Sequence, residues 1–122
     1  MTTMEIANDL AGLCRQGKNL DAIEKYYADG IVSVEPMSAP GMPSEMAGIA
    51  AIKGKNQWWL ENHQVHNAEV KGPLVAGNYF AVEFNYDITQ KSSGHRFQMT
   101  EIGLYTVADG KIVHEHFYYS IA

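Results

Sequence analysis

A chain of 122 residues, 46% hydrophobic and 19% charged, has the length and composition of one globular domain, residues 1–122, with enough apolar surface to bury a core. Its net charge of -5 excludes a phosphate-backbone binder, which needs a basic face, so no nucleic-acid partner is expected. The single cysteine, Cys14, excludes an internal disulfide. With no apolar run near the ~20 residues of a membrane helix and no leader-like start, a cytoplasmic protein without a membrane partner is the default expectation.

Thr2 and Glu5 have the spacing of a capping box, in which hydroxyl and carboxylate satisfy backbone N–H groups at a helix start. Ile6, Leu10, Leu13 and Cys14 follow at helical spacing, and Gly17 supplies a stop. A second helix is predicted from about Asn19 to Ala28, then a β-branched strand from Ile31 to Glu35. Residues Pro36 to Gly48 hold three prolines, two glycines and three methionines and read as an irregular segment, placed to act as a lid over a pocket. Ile49 to His63 is a third helix, weakened by Gly54 so that its start or middle is expected to be irregular.

From Val65 onward the pattern is strand. His66 to Val75 is interrupted by Gly72-Pro73, which marks a bulge or an edge. Gly77-Asn78 suits a type II′ turn, and Tyr79 to Thr89 alternates, with Phe80, Val82, Phe84, Tyr86 and Ile88 on one face. Lys91 to Gly94 is a polar loop, His95 to Val107 a strand, Asp109-Gly110 a type I′ turn, and Lys111 to Ser120 the last strand. Helices first and strands after them define an α+β fold.

Three motifs in this order carry a resemblance: the helix end Tyr27-Ala28-Asp29 with Glu35-Pro36 six residues on, the step Ile52-Lys53-Gly54-Lys55, and the hairpin Asp109-Gly110-Lys111-Ile112. Over essentially its whole length the chain resembles the nuclear-transport-factor-2-like superfamily, in its SnoaL-like and ketosteroid isomerase-like branch. The resemblance implies a cone-shaped barrel, a strongly curved and mainly antiparallel sheet closed by three N-terminal helices around a pocket. It implies a homodimer through the outer sheet face, because three long strands offer more apolar surface than short helices can cover. Members include isomerases, cyclases, dehydratases, hydrolases and proteins without catalysis, so the fold does not choose the function.

The resemblance places Glu35 at the general-base position of the isomerases, as glutamate where they have aspartate. It does not extend to the oxyanion hole. No tyrosine stands on the first helix, and Gly103 falls at the position of the protonated aspartate. This argues against steroid isomerisation by that mechanism and leaves Glu101 as the nearest substitute.

A two-residue turn at Asp109-Gly110 pairs Val107 with Ile112, Tyr105 with His114, Gly103 with His116 and Glu101 with Tyr118. These residues and Met99 then share one face, taken as the concave one. A bulge in the last strand would reverse its half of the choice and replace the histidines by Glu115 and Tyr119. On this reading Glu35, Glu101 and His116 are the candidate catalytic residues, with Glu35 the acid or base and Glu101 with His116 polarising. A strand-end Glu35 that caps the following loop is the alternative. Tyr27, Trp58, Trp59, His63, Met99, Tyr105, His114 and Tyr118 are the candidate substrate-binding residues for a small apolar or polycyclic molecule. His114, His116 and Glu101 offer the ligand types of a zinc or iron site, but no metal motif supports them, and neither metal nor cofactor is expected. The functional expectation is a small-molecule pocket protein, acting as an isomerase-, cyclase- or hydrolase-like enzyme by carboxylate proton transfer. The alternative is a non-catalytic ligand-binding or dimeric scaffold protein.

Overall fold

The computed structural model describes residues 1–39 and 41–120; Pro40 of the predicted lid segment and the last two residues of the 1–122 span lie outside the described residues. Helix α1 (Thr3–Arg15) opens on the predicted capping box: the Glu5 amide donates to Thr2 Oγ1 at 3.1 Å and the Thr2 amide to Glu5 Oε1 at 3.0 Å. Ile6, Leu10, Ala11 and Cys14 fall on its buried side. Gly17, at φ 73°, ends it by letting the Lys18 amide reach the Leu13 carbonyl at 2.8 Å.

Helix α2 (Asn19–Tyr26) stops earlier than its pattern suggests. Tyr27 already lies in strand β1 (Tyr27–Val34), where it pairs in parallel with Ile112. The Pro- and Gly-rich segment conceals a short strand, β2 (Glu45–Ala47), antiparallel to β1 from Val32–Ala47 to Val34–Glu45. Helix α3 (Ile49–Asn62) runs unbroken through Gly54, contrary to the expected irregularity. Four strands follow: β3 (His63–Ala76), β4 (Tyr79–Gln90), β5 (His95–Ala108) and β6 (Lys111–Tyr118).

The sheet order is β2-β1-β6-β5-β4-β3, antiparallel throughout except for β1 against β6. This is the α+β cone that the sequence predicted, a curved, mainly antiparallel sheet with three helices on one face; β2 and β3 are its edges, and hydrogen bonds do not close it into a ring. The β3–β4 register shifts between Lys71 and Leu74, around Gly72-Pro73, as the sequence suggested. Asp109 (φ 52°) and Gly110 (φ 74°) both take the left-handed conformations of a type I′ turn.

One face of the sheet carries the helices. α1 packs on β3 and β4, α2 on α1 and α3, and α3 on β1. Ile6, Leu10, Ile31, Ile52, Phe80 and Ile112 are almost wholly buried between the layers. The predicted alternation of β4 holds: Phe80, Val82, Phe84 and Ile88 are buried. No helix among the described residues is long and apolar enough to cross a membrane.

The last hairpin departs from simple parity. Val107 pairs with Ile112, but the next pair is Thr106 with His114, so Val113 is left over as a bulge. Beyond it Tyr105 faces Glu115, Leu104 faces His116, Gly103 faces Phe117 and Ile102 faces Tyr118. The half-strand is reversed, and Glu115 is turned into the core while His114, His116 and Tyr118 accompany the partly exposed Leu104 and Ile102 on the outer face.

Candidate functional site

Pro36 has no N–H to continue a ladder, so Glu35 stands at the end of the β1 line; its amide donates to the Ser44 carbonyl at 2.7 Å as the chain turns away. Two residues earlier on the same strand, Ser33 is fully buried. Helix α3 rests on β1 and delivers Lys55 between the two. Lys55 Nζ donates to Ser33 Oγ at 2.5 Å and to Glu35 Oε1 at 3.0 Å, and lies 5.1 Å from the centre of the Phe117 ring. The second carboxylate oxygen, Glu35 Oε2, is buried and accepts no hydrogen bond.

Behind this pair, Glu115 is 2% exposed. Its Oε1 contacts the Tyr27 hydroxyl and its Oε2 accepts from Ser33 Oγ at 2.9 Å. Burial raises the Glu115 carboxyl above its ordinary range, against the pull of Lys55 and of the two hydroxyl donors. Glu101 lies on the inner face of β5. Burial first, then repulsion from Glu35, pushes its carboxyl up to about 8, with Lys55 opposing the shift. The Tyr119 hydroxyl is raised by burial, then by the Glu35 and Glu101 carboxylates and by its approach to Glu35, which it nears without closing a hydrogen bond on Oε2. The interior thus concentrates three carboxyls around one ammonium, and Glu101 retains a proton near neutrality.

A cavity of about 70 Å³ opens onto this group, lined by Glu35, Lys55, Trp58, Trp59 and Tyr119, with Met37, Ala39, Met42 and Pro43 from the predicted lid forming the remaining wall. A larger depression of about 250 Å³ lies at the β3–β4 turn among Leu74, Val75, Tyr79 and Leu104. No carboxylate or lysine lines it, so the chemistry belongs to the smaller cavity.

Of the predicted residues, Glu35, Trp58 and Trp59 line the cavity, while Glu101 does not line it and is linked to Glu35 only through the charge it feels. His63 stands behind the tryptophans: it stacks on Trp59 at 4.8 Å, and its Nδ1 lies 2.9 Å from the Trp59 carbonyl. Tyr27 is committed to Glu115, and Tyr105 stacks on Phe80 at 4.7 Å. Met99 is on the inner face, opposite Tyr86. His114, His116 and Tyr118 are not with them. The Val113 bulge puts them on the outer face, where His116 stacks on Tyr118 at 4.3 Å. Among the described residues, no group of three or more His, Cys, Asp or Glu is placed to hold a metal ion.

Ser33 and Lys55 escaped the sequence reading. Ser33 had a usable signal, since it shares the strand parity of Ile31 and Glu35. Lys55 appears in the sequence only as the last residue of the motif Ile52-Lys53-Gly54-Lys55 and carries no role there, because a lysine on a helix is ordinarily a solvated residue. Gly103 also acquires a reason. A Cβ there would meet Tyr105 Cε2 at 2.9 Å, the Tyr105 hydroxyl at 3.0 Å and Phe117 Cε1 at 3.1 Å. Two aromatic rings occupy the space that a larger residue at Gly103 would need.

The SnoaL-like domain family matches residues 1–119, and the chain belongs to that family, within the nuclear-transport-factor-2-like superfamily. Among solved structures, a candidate SnoaL-like polyketide cyclase from Mesorhizobium loti, also described as a carbohydrate phosphatase, is 50% identical; the match covers 98% of this chain and 100% of that one with a TM-score of 0.92. A candidate isomerase from Bacillus subtilis is 20% identical over 98% of this chain and 90% of that one, with a TM-score of 0.76. A Catenulispora acidiphila protein with a ketosteroid isomerase-like fold, in complex with trimethylamine, is 21% identical over 96% and 86%, with a TM-score of 0.74. The last two show the fold alone. No curated protein matches the chain.

Proposed function

We propose that this chain is an enzyme that moves a proton at a carbon next to a carbonyl in a small, neutral, largely apolar substrate, in the manner of an isomerase or cyclase. The observation that carries this reading is Glu35 Oε2, a buried carboxylate oxygen without a partner on the wall of a cavity. An acceptor in that state is costly unless something it binds supplies a proton or a donor. Glu35 acts as the base. The Tyr119 hydroxyl, which lines the same cavity, is the donor within reach of a developing enolate, and Glu101 with its proton kept near neutrality stands behind it. Trp58, Trp59 and Tyr119 hold the apolar body. Lys55 neutralises Glu35, so a neutral ligand suits the cavity better than an anion.

The cyclase designation of the Mesorhizobium loti relative agrees with this chemistry, since ring closure of a polyketide begins with such a proton abstraction. Its phosphatase designation fits less well. Lys55 is the one cation among the residues that line the cavity, and it is already paired with Glu35, which leaves no free positive charge for a phosphate ester. The cavity of about 70 Å³ holds only a few heavy atoms, so larger substrates require the wall formed by Met37, Ala39, Met42 and Pro43 to move.

The test is deuterium incorporation from D₂O into the α-carbon of ketones graded from acetone to β-tetralone, followed by NMR. Protein-dependent exchange is the expected result; exchange at the buffer rate across the panel contradicts the reading. That outcome would favour the second reading, a non-catalytic ligand-binding or scaffold protein. The observation on its side is the interior space beside Gly103 filled by Tyr105 and Phe117.

A further inference from the structure

Glu115 lines neither of the two cavities described, yet it is one of the most deeply buried groups among the described residues and is tied to the candidate site by an unbroken chain of contacts. The chain runs Tyr27–Glu115–Ser33–Lys55–Glu35 and draws on β1, β6 and α3. The donor inventory fixes its direction. An ammonium donates and never accepts, so at Ser33 the hydroxyl oxygen receives the Lys55 proton. The Ser33 hydrogen must then go to Glu115 Oε2, the acceptor 2.9 Å away.

We propose that Glu115 and Ser33 are positioning residues, which hold Lys55 against one oxygen of Glu35 and leave the other as the acceptor the cavity offers. The consequence for catalysis rests on the reading of Glu35 as the base; the positioning itself does not. Lys55 is a long side chain with large rotamer freedom. Three contacts fix its head: Ser33 Oγ at 2.5 Å, Glu35 Oε1 at 3.0 Å and the Phe117 ring face at 5.1 Å. Of these, only Ser33 is itself anchored on a buried carboxylate. Without that anchor the ammonium is free to swing between the two oxygens of Glu35 or out toward the open side of the cavity. With it, the carboxylate is divided into an occupied and a vacant oxygen.

The arrangement also accounts for a serine and a glutamate at positions where strand parity calls for apolar residues. Ser33 lies between Ile31 and Glu35 on β1, and Glu115 is turned inward by the Val113 bulge. An apolar pair would fill the same space but would leave Lys55 with Glu35 alone.

The test reads Lys55 directly. Reductive methylation by formaldehyde and cyanoborohydride, followed site by site with mass spectrometry, reports how freely each lysine amine is available. Lys53, exposed and two residues away, is the internal reference. Ser33→Ala and Glu115→Gln should raise the Lys55 rate relative to Lys53 by about tenfold, the factor that one charge-assisted hydrogen bond is worth. Tyr27→Phe removes the other arm of Glu115 and should leave the Lys55 rate within about twofold of wild type. A merely structural role for Glu115 predicts instead that all three variants loosen Lys55 alike, in step with their loss of thermal stability. That result, or an unchanged Lys55 rate in Ser33→Ala, overturns the proposal. If Glu115→Gln does not fold, the comparison of Ser33→Ala with Tyr27→Phe decides alone. The labelling needs no substrate, so it stands even where wild-type protein exchanges no ketone proton. Where exchange is seen, Ser33→Ala should lower its rate while Lys55 is released.

Discussion

Lys55 Nζ lies 3.0 Å from Glu35 Oε1, and the two side chains are only 15% and 21% exposed. An ion pair so shielded from water is weakly screened, and each partner depends on the other to offset its desolvation. Lys55→Met should therefore leave a half-buried carboxylate uncompensated. The expected cost is about 2 kcal/mol of unfolding free energy at neutral pH, read from urea denaturation. A loss below about 0.5 kcal/mol would mean that the pair behaves as an ordinary surface contact.

Glu101 links stability to pH. Its carboxyl is raised from the ordinary 4.5 to about 8 in the folded chain. Below about 4.5 both folded and unfolded chains hold the proton. Between about 4.5 and about 8 only the folded chain holds it, so stability falls as pH rises and the loss is complete above the folded value. Glu115, raised by burial, acts in the same direction. Glu101→Gln removes this penalty. Its melting temperature should pull ahead of wild type by about 5 °C or more between mildly acid and mildly alkaline buffer. Parallel melting curves for the two proteins across that range would show that Glu101 is not held neutral.

Gly103 is a packing position. Adding a Cβ forces contacts of 2.9 Å and 3.0 Å on Tyr105 and 3.1 Å on Phe117, and Tyr105 has little room to move because it is stacked on Phe80. Gly103→Ala should cost about 1–3 kcal/mol by overpacking, measured by chemical denaturation. A neutral or stabilising substitution would indicate that the rings relax into empty space.

The outer sheet face is expected to meet a second copy of the chain. Ile102, Leu104 and Tyr118 stand there 44%, 39% and 48% exposed, beside His114 and His116. A two-fold pairing of such faces buries the apolar strip against itself. Light scattering at micromolar concentration should report a dimer, and Leu104→Arg should shift it to monomer with the fold intact. Wild-type monomer at that concentration contradicts the arrangement.

Much of the fold was legible because local rules and tertiary packing agree. The capping box at Thr2 and Glu5, the alternation from Phe80 to Ile88 and the Asp109-Gly110 turn each follow from the residues themselves. β2 was not legible, since Glu45–Ala47 has little strand propensity and forms only because β1 supplies a partner. The site was legible in part. Glu35 is marked by Pro36, but the faces of β6 turn on one unpaired residue, Val113, and period-2 patterns carry no mark of where a bulge falls. Simple parity turns His114 and His116 inward and Glu115 outward, and only the bulge alternative gives the observed reverse. Lys55 was legible as part of a motif but not as a site residue: its inward course is set by how α3 crosses β1, a relation between elements distant in sequence.

The central claim is that Glu35 exchanges a proton with substrate through its unpartnered oxygen, and Glu35→Gln tests it most directly. Glutamine keeps the shape and the contact with Lys55 as an acceptor, but it cannot take up a proton. The measurement is the rate of α-deuterium incorporation into whichever ketone wild-type protein exchanges fastest, compared between the two proteins in the same buffer. The account predicts a fall of about 10²–10⁴-fold, the usual contribution of a positioned base, with the folded state retained. Exchange by Glu35→Gln at the wild-type rate would contradict it, and would return Glu35 to the role of a strand-end carboxylate paired with Lys55.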